Sequence, residues 1–270
     1  MIDYKVINKP SENLISLNEI KDFLALINVS DTSQDIYLKS LLNIATKYVE
    51  DYTGRDLFLK KYLTYRTNFC EFNERFYYDF YTLKTCQVES IESIQYLDNN
   101  DIWNVLDTEY YNLYSQQNDW AKVKLNIDST IAAKDVINNV KIQFLSGFGC
   151  VLSEIKRDTD IIIANTINDN GLCVGDRIVI SDTGDSTLNG IFHISSIVNE
   201  KTFTINNAGD DVIGSGSYMT VNNVPDIYIE TIKRLIAWLF ENKGDCGLYE
   251  MNTILSSLLY TQKITKLGIY

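Results

Sequence analysis

Apolar positions near the start of the chain recur with a helical period. "ISLNEIKDFLALI" places Ile20, Phe23, Leu24 and Ile27 on one face. Ser16 and Glu19 have the spacing of a capping box, with Ile15 and Ile20 as its hydrophobic staple. After the polar connector "NVSDTSQD", a second stripe runs through Leu38, Leu41, Leu42, Ala45, Tyr48, Val49 and Tyr52. It predicts a helix ending at Thr53, with Gly54 in the left-handed conformation that glycine adopts cheaply. Such a helix is about 30 Å long. Arg55 follows in "VEDYTGRDL", and the chain then reads as a strand.

From Leu57 to Leu145 alternation replaces the helical period. "AKVKL" sets Ala121, Val123 and Leu125 against Lys122 and Lys124, and "VKIQF" sets Val140, Ile142 and Phe144 on one face. "IESIQYLDNNDIWNVL" predicts a hairpin turning at Asp98 to Asp101. Composition shifts again over residues 151–223, which hold seven of the 13 glycines but only one of the 18 tyrosines, Tyr218. Short strand-like pieces, "RIVI", "GIFHISSI" and "TFTI", alternate there with turn-rich ones, which predicts a separate small β-barrel or sandwich. Helix returns in "VPDIYIETIKRLIAWLFENKGD". Pro225 suits its first position, Ile229, Ile232, Leu235, Ile236, Leu239 and Phe240 form its apolar face, and Lys243 and Gly244 mark its end. A short last helix carries Met251, Ile254, Leu255, Leu258 and Leu259, and the tail "TQKITKLGIY" has no packing pattern of its own.

The expected fold class is therefore α+β: about four helices with an antiparallel β region, plus an inserted small all-β barrel or sandwich. The expected domains are 1–150 with 224–270, and 151–223 inserted at a loop, where insertions are best tolerated.

Charge and candidate chemistry narrow the function. The net charge is −12. That disfavours nonspecific grip on nucleic acid, which needs a basic face; it is compatible with a wall that DNA slides past and equally with charge that simply keeps the protein soluble. No apolar run approaches the ~20 residues of a membrane span, and the first residues carry no signal-peptide pattern, so synthesis in the cytoplasm is expected. Cys70, Cys86, Cys150, Cys173 and Cys246 are scattered, without C-x-x-C, and are read as reduced thiols. His193 is the only histidine, and it alternates with Phe192 and Ile194 as a surface strand residue would. No hydrolase, zinc-protease or P-loop motif occurs. "DNNDIW", "SDTGDS" and "NAGDD" read as turns rather than calcium loops, since none has the EF-hand spacing. The expectation is no enzyme, no catalytic residue, no metal and no cofactor.

With 151–223 set aside, the order "ATKYVEDYTGRDL", "QVESIESIQYLDNNDIWNVLDTEYYNL", "VKIQFLSGFG" and "VPDIYIETIKRLIAWLFENK" resembles the head–tail connector (adaptor) proteins of tailed bacteriophages. The resemblance spans residues 16–149 and 224 to about 260. Family members are usually much shorter, and here about 73 residues stand where they have a short loop. The resemblance implies a structural virion protein at the head–tail junction. It would form a dodecameric ring with itself, dock on the portal protein, offer a platform to the next tail component (a stopper or tail protein), and meet genomic DNA only as it passes through the channel. No membrane is implied.

It also implies docking through the C-terminal helix and tail, so the candidates are Leu255, Leu258, Leu259, Thr261, Lys263, Ile264, Lys266, Leu267, Ile269 and Tyr270. The first three read rather as ordinary core of the terminal helices, and the tail is the better docking candidate. Arg55 either closes the helix stop against a carboxylate or reaches a neighbouring subunit, where arginine is favoured. "RFYYDFY" holds five aromatic rings in seven residues, hard to bury in one small domain. Arg75, Phe76, Tyr77, Tyr78, Phe80 and Tyr81 are therefore candidates for a subunit interface. The alternative reading is a tail or baseplate module whose β insertion holds a glycan or another tail protein. The few aromatics there, Phe192, Phe203 and Tyr218, speak against the glycan.

Overall fold

The computed structural model describes residues 4–26, 32–67, 71–73, 76–78, 80–83, 88–114, 120–126, 133–242 and 248–263. The chain resolves into two compact units, which do not follow the expected boundaries at 150 and 224. The first comprises Phe58–Gly147 with the N-terminal strand; the second comprises Pro10–Leu57 and Phe148–Lys263. The strands of the 151–223 region are thus grouped with the helices.

The first unit contains β1 (Tyr4–Asn8), β2 (Lys60–Arg66), β3 (Glu71–Asn73), β4 (Phe76–Tyr78), β5 (Phe80–Thr82), β6 (Val88–Leu97), β7 (Trp103–Val105), β8 (Tyr111–Tyr114), β9 (Lys122–Leu125) and β10 (Val140–Ser146). Five of them form an antiparallel sheet in the order β1-β2-β10-β6-β7. β5, β9 and β8 form a three-stranded sheet, and β3 pairs with β4. The alternation in β9 and β10 orients them as expected: Ala121, Val123, Leu125, Val140, Ile142 and Phe144 all enter one core with Leu83, Val88, Ile94 and Leu106. Phe144 stacks on Tyr62 at 5.3 Å and meets Tyr4 edge-on at 6.3 Å. Arg66 donates to the Tyr4 hydroxyl at 2.7 Å, which pins the edge strand β1. The hairpin of β6 and β7 turns where the sequence places it, with Leu97 opposite Trp103. Gly147 ends the unit with φ +128°, and a Cβ there would lie 2.0 Å from the Phe58 carbonyl oxygen. Only glycine fits that approach.

The second unit contains α1 (Leu17–Phe23), α2 (Asp35–Thr53), α3 (Asp226–Glu241) and α4 (Leu248–Leu259). Its strands are β11 (Cys150–Asp158), β12 (Ile161–Thr166), β13 (Arg177–Ser181), β14 (Gly190–His193), β15 (Ser196–Ile197), β16 (Thr202–Asn206), β17 (Val212–Ile213) and β18 (Thr220–Asn222). They form one curled antiparallel sheet in the order β14-β13-β18-β11-β12-β16-β15, with β17 beside β11. Its concave core holds Ile155, Ile162, Ala164, Ile178, Ile180, Phe203 and Val221 among others. The four helices with antiparallel sheets make the fold α+β, as the hydrophobic pattern predicts. "GIFHISSI" is two strands rather than one: β14 pairs with β13, β15 pairs with β16, and the buried Ile194 sits at the corner between them.

α2 ends as its sequence requires, with Gly54 left-handed at φ 71° and its N–H donating to the Glu50 carbonyl. Tyr48 lies at the exposed margin of its stripe, while Leu38, Leu41, Leu42, Ala45, Val49 and Thr53 are buried. α1 is shorter than its pattern. It stops after Phe23, which is exposed, because Ala25 turns to φ 51°; Ile27 lies outside the described residues. Pro225 is the N-cap of α3, one position before the helix proper.

Candidate docking surfaces

The C-terminal end of the second unit is fastened to the end of α2. The Arg55 Nε donates to the Gln262 carbonyl oxygen at 3.1 Å, and the Tyr228 hydroxyl donates to Gln262 Oε1 at 3.2 Å. The Lys263 ammonium lies 4.8 Å from the centre of the Tyr52 ring, within cation–π range. The Leu57 N–H donates to the Glu50 carboxylate at 3.0 Å, closing the helix stop a second time. "YTGRD" therefore ends α2 and also presents Tyr52 and Arg55 as the seat on which the turn after α4 rests. Arg55 is 5% exposed in the single chain.

The docking candidates fall into three groups. Leu255 and Leu259 are buried, with Met251, along the inner face of α4, and Leu258 is half-buried. Thr261 and Lys263 are exposed. Ile264, Lys266, Leu267, Ile269 and Tyr270 lie outside the described residues. Of the interface candidates, Phe76, Tyr77 and Tyr78 supply the backbone of β4, and Phe80 and Tyr81 that of β5. Their side chains, and Arg75 entirely, lie outside what is described.

A charged cluster that sequence reasoning missed joins three elements of the second unit. The Glu19 carboxylate takes the Lys233 ammonium of α3 at 2.7 Å and the Arg177 guanidinium of β13 at 3.1 Å. Arg177 also donates to the Leu14 carbonyl at 2.6 Å. Burial pushes the Glu19 carboxyl up, but the Lys233 hydrogen bond and the charges of Arg177 and Lys233 outweigh it and hold it below the ordinary range. Only half of the expected capping box forms as a result. Ser16 Oγ accepts from the Glu19 N–H, while the Glu19 carboxylate is occupied by Lys233 and Arg177. No local spacing announces partners 158 and 214 positions away.

The acidic turns close on themselves. Asp98 accepts from the N–H groups of Asn100 and Ile102 and from the Asn104 amide, and its carboxyl is lowered, first by the Ile102 bond. Asp185 accepts from the Thr187 N–H and hydroxyl and is lowered likewise. Asp211 accepts from the Thr159 N–H. The Asp98 and Asp185 bonds are Asx-type turns, whereas the Asp211 bond reaches a residue 52 positions away. Among the described residues no group of three or more His, Cys, Asp or Glu is placed to hold a metal. His193 is exposed on β14, with Nδ1 3.3 Å from the Gly175 carbonyl oxygen. Among the described residues no helix is long and apolar enough to cross a membrane.

A third surface is the outer face of the five-stranded sheet. Tyr65, Lys141, Gln95 and Val105 form a row across β2, β10, β6 and β7. Lys5, Leu63, Gln143 and Ser93 form a second row across β1, β2, β10 and β6. Trp103 stands beside the first row, edge-on to Tyr65 at 6.5 Å and 6.0 Å from the Lys141 ammonium.

Residues 15–79, which include α1 and α2, match the family of phage gp6-like head-tail connector proteins. No curated protein sequence matches the chain. Among solved structures, the chain is similar to one in the neck of an empty gene transfer agent (GTA) particle computed with C6 symmetry. That match has a TM-score of 0.55 and 11% identity over 99% of this chain and 98% of that one. It is also similar to a chain in the virion of a native GTA particle, with a TM-score of 0.55 and 12% identity over the same shares. At 99% coverage the similarity takes in the curled sheet as well as the helices. Residues 15–79 are thus similar to phage gp6-like head-tail connector proteins, and the whole chain shares its fold with the two GTA chains.

Proposed function

We propose that this chain is a structural, non-enzymatic connector of a virion neck. In this reading it forms a ring of copies at the head–tail junction, docks under the portal protein, extends the DNA channel and carries the next tail component. The observation that carries the reading is the match of residues 15–79 to head-tail connector proteins, joined to a fold shared along the whole chain with a GTA neck protein. The net charge of −12 suits a channel component that DNA passes without sticking.

Docking on the portal is assigned to the C-terminal end, through Thr261, Lys263 and the tail Ile264, Lys266, Leu267, Ile269 and Tyr270. The fastening of Gln262 to Arg55 and Tyr228 supports this, because it fixes the point from which the tail departs. Leu255 and Leu259, being core, act by holding α4 in place. Arg55, Arg75, Phe76, Tyr77, Tyr78, Phe80 and Tyr81 stay candidates for the contact between neighbouring copies. We further read residues 151–223 as an insertion into the connector sequence of 1–150 and 224–270, whose strands face an accessory protein or the next ring.

The test is the mass of the purified protein in solution, alone and mixed with the cognate portal. The expected result is a complex of twelve copies on the portal, lost on truncation after Lys263. A chain that ignores the portal overturns the reading.

A further inference from the structure

The curled sheet of the second unit is carried on a narrow pivot and steadied by a cluster of charges. The chain enters the sheet at Cys150 and leaves it at Asn222 through neighbouring strands, with Cys150 opposite Val221. Gly149 makes this pairing close: a Cβ there would lie 2.3 Å from the Val221 carbonyl oxygen. Both ends are tied to the first turn of α3. Phe148 packs on Tyr228 with ring centres 5.3 Å apart, and Asn222 leads through Asn223 and Val224 to the N-cap Pro225. Beside them the Asn223 amide donates to the Asp176 carboxylate at 3.1 Å. Paired strands lie ~4.8 Å apart. The two connections therefore define little more than an axis and leave rotation about it to other contacts.

Glu19, Arg177 and Lys233 supply a contact off that axis. Arg177 opens β13, the strand beside the exit strand β18, and Lys233 stands ~7.5 Å further along α3 than Tyr228. Glu19 of α1 takes both cations, and Arg177 adds the Leu14 carbonyl, so α1, α3 and β13 meet at one carboxylate. All three side chains keep contact with water, and the most covered, Arg177, is 15% exposed. Parting them returns each charge to water, whereas breaking a fully buried pair strands one. The face of β13 and β18 turned away from the core is also poorly interlocked. Val179, Ser181, Thr220 and Asn222 are buried there, three of the four are polar, and Ser181 Oγ has no hydrogen-bond partner among the described residues. Contacts of that polar kind are typical between parts that move against each other. We infer that the Glu19–Arg177–Lys233 cluster is a conformational lock: it fixes the direction of the curled sheet on α1 and α3, and its release lets the sheet turn on its paired strand ends without unfolding. Glu19 is then a positioning residue for the whole sheet. The inference goes beyond the connector reading and does not depend on it.

The test uses the full chain, with Cys70, Cys86 and Cys246 replaced by serine. Spin labels are placed on the exposed native Cys173 of the curled sheet and on Ile36→Cys in α2, where the side chain is exposed, while Cys150 is buried. Their separation is measured by pulsed double electron resonance in this parent and in Glu19→Gln, Arg177→Met and Lys233→Met. The expected result is one narrow distance peak in the parent. That peak should be lost to a broad, shifted distribution in the charge variants, with unchanged circular dichroism. Ile162→Val, a modest core substitution remote in chemistry from the lock, should leave the peak in place. A peak that stays single and narrow in the charge variants overturns the inference. A peak lost equally in Ile162→Val also overturns it, because the cause would then be lower stability in general. Charge variants that all fail to fold overturn it as well, since release without unfolding is the claim. None of these results touches the connector reading, which the portal mixture tests separately.

Discussion

The two large sheets of this molecule finish their outer faces in opposite ways. On the curled sheet of the second unit, polar side chains are bonded to one another across the strands. Thr202 Oγ1 donates to Asn165 Oδ1 at 2.7 Å, the Asn165 amide donates to Glu154 at 3.3 Å, and the hydroxyls of Ser196 and Thr204 share a bond at 2.7 Å. Exposed Ile161, Val198 and Ile213 sit at strand ends or on the short β17. On the five-stranded sheet of the first unit, the outer face carries aromatic, aliphatic and basic groups, with Trp103 and Val105 on the short edge strand β7. Both sheets bury an apolar inner face of the same kind. The difference teaches that one outer face is closed by side-chain hydrogen bonds across its strands, while the other leaves aromatic and aliphatic groups exposed beside lysines.

The largest effects are expected on the inner faces, where the sheets are alike. Phe144 and Phe203 are both fully buried. Phe144→Ala and Phe203→Ala should each cost about 3–5 kcal/mol in urea unfolding. A loss confined to one of them would mean that the sheets differ in their cores as well as their surfaces.

A smaller effect belongs to Glu19, which ties the curled sheet to α1 and α3. Glu19→Gln should cost on the order of 1 kcal/mol, since the carboxylate is partly exposed and its pairs are screened. Because its folded pKa is lowered, its contribution is present above the unfolded value of ~4.3 and is lost as pH falls through the lower folded value. Thermal unfolding of wild type and Glu19→Gln should therefore differ at pH 7 and converge in acid. Curves that stay equally separated at low pH would show that the charge is not what binds these elements.

Local signals were legible in the sequence and distant pairings were not. α2 could be read completely because its stripe, its stop at Gly54 and its length are all local. β9 and β10 could be read because two-residue alternation assigns a face without knowledge of the partner strand. β1 has only five residues, and its place depends on Tyr4 meeting Phe144 and Arg66 far along the chain. The length of α1 was overestimated because Phe23 and Leu24 continue the apolar spacing past a turn at Ala25 that no glycine or proline announces. Of the docking candidates, the fate of Leu255 and Leu259 was visible as one of two readings. The seat made by Tyr52, Arg55 and Gln262 was not, because it joins residues 207 positions apart. Trp103 and Val105 could be put on one face from sequence. Their neighbourhood with Tyr65 and Lys141 needed the strand order.

The ladder on the curled sheet gives a subtler test. Thr202→Val removes a hydroxyl that is bonded across the sheet and half-exposed. Its effect on stability should be about 0.5–1 kcal/mol, as for a single solvated hydrogen bond. The more telling readout is association: a sheet whose outer face is complete should gain stickiness when made apolar. Concentration-dependent sedimentation of Thr202→Val/Thr204→Val that matched wild type would show that the ladder does not keep this face solitary.

A change in stability smaller than that of the buried rings is expected where the comparison is sharpest, at Trp103. Its ring is 41% exposed, and its contacts are an edge-on Tyr65 at 6.5 Å and an ammonium at 6.0 Å. Each such contact is worth about 0.5–1 kcal/mol at an exposed site. Strand β7 is also held by its backbone pairing with β6, which the substitution leaves intact. Trp103→Ala should therefore lower the stability of the separate chain by about 1–2 kcal/mol in urea unfolding, below Phe144→Ala on the opposite face. A loss of the same size as Phe144→Ala would make Trp103 part of the core and would remove the reason for calling this face open. A small loss fits a residue packed on one side only.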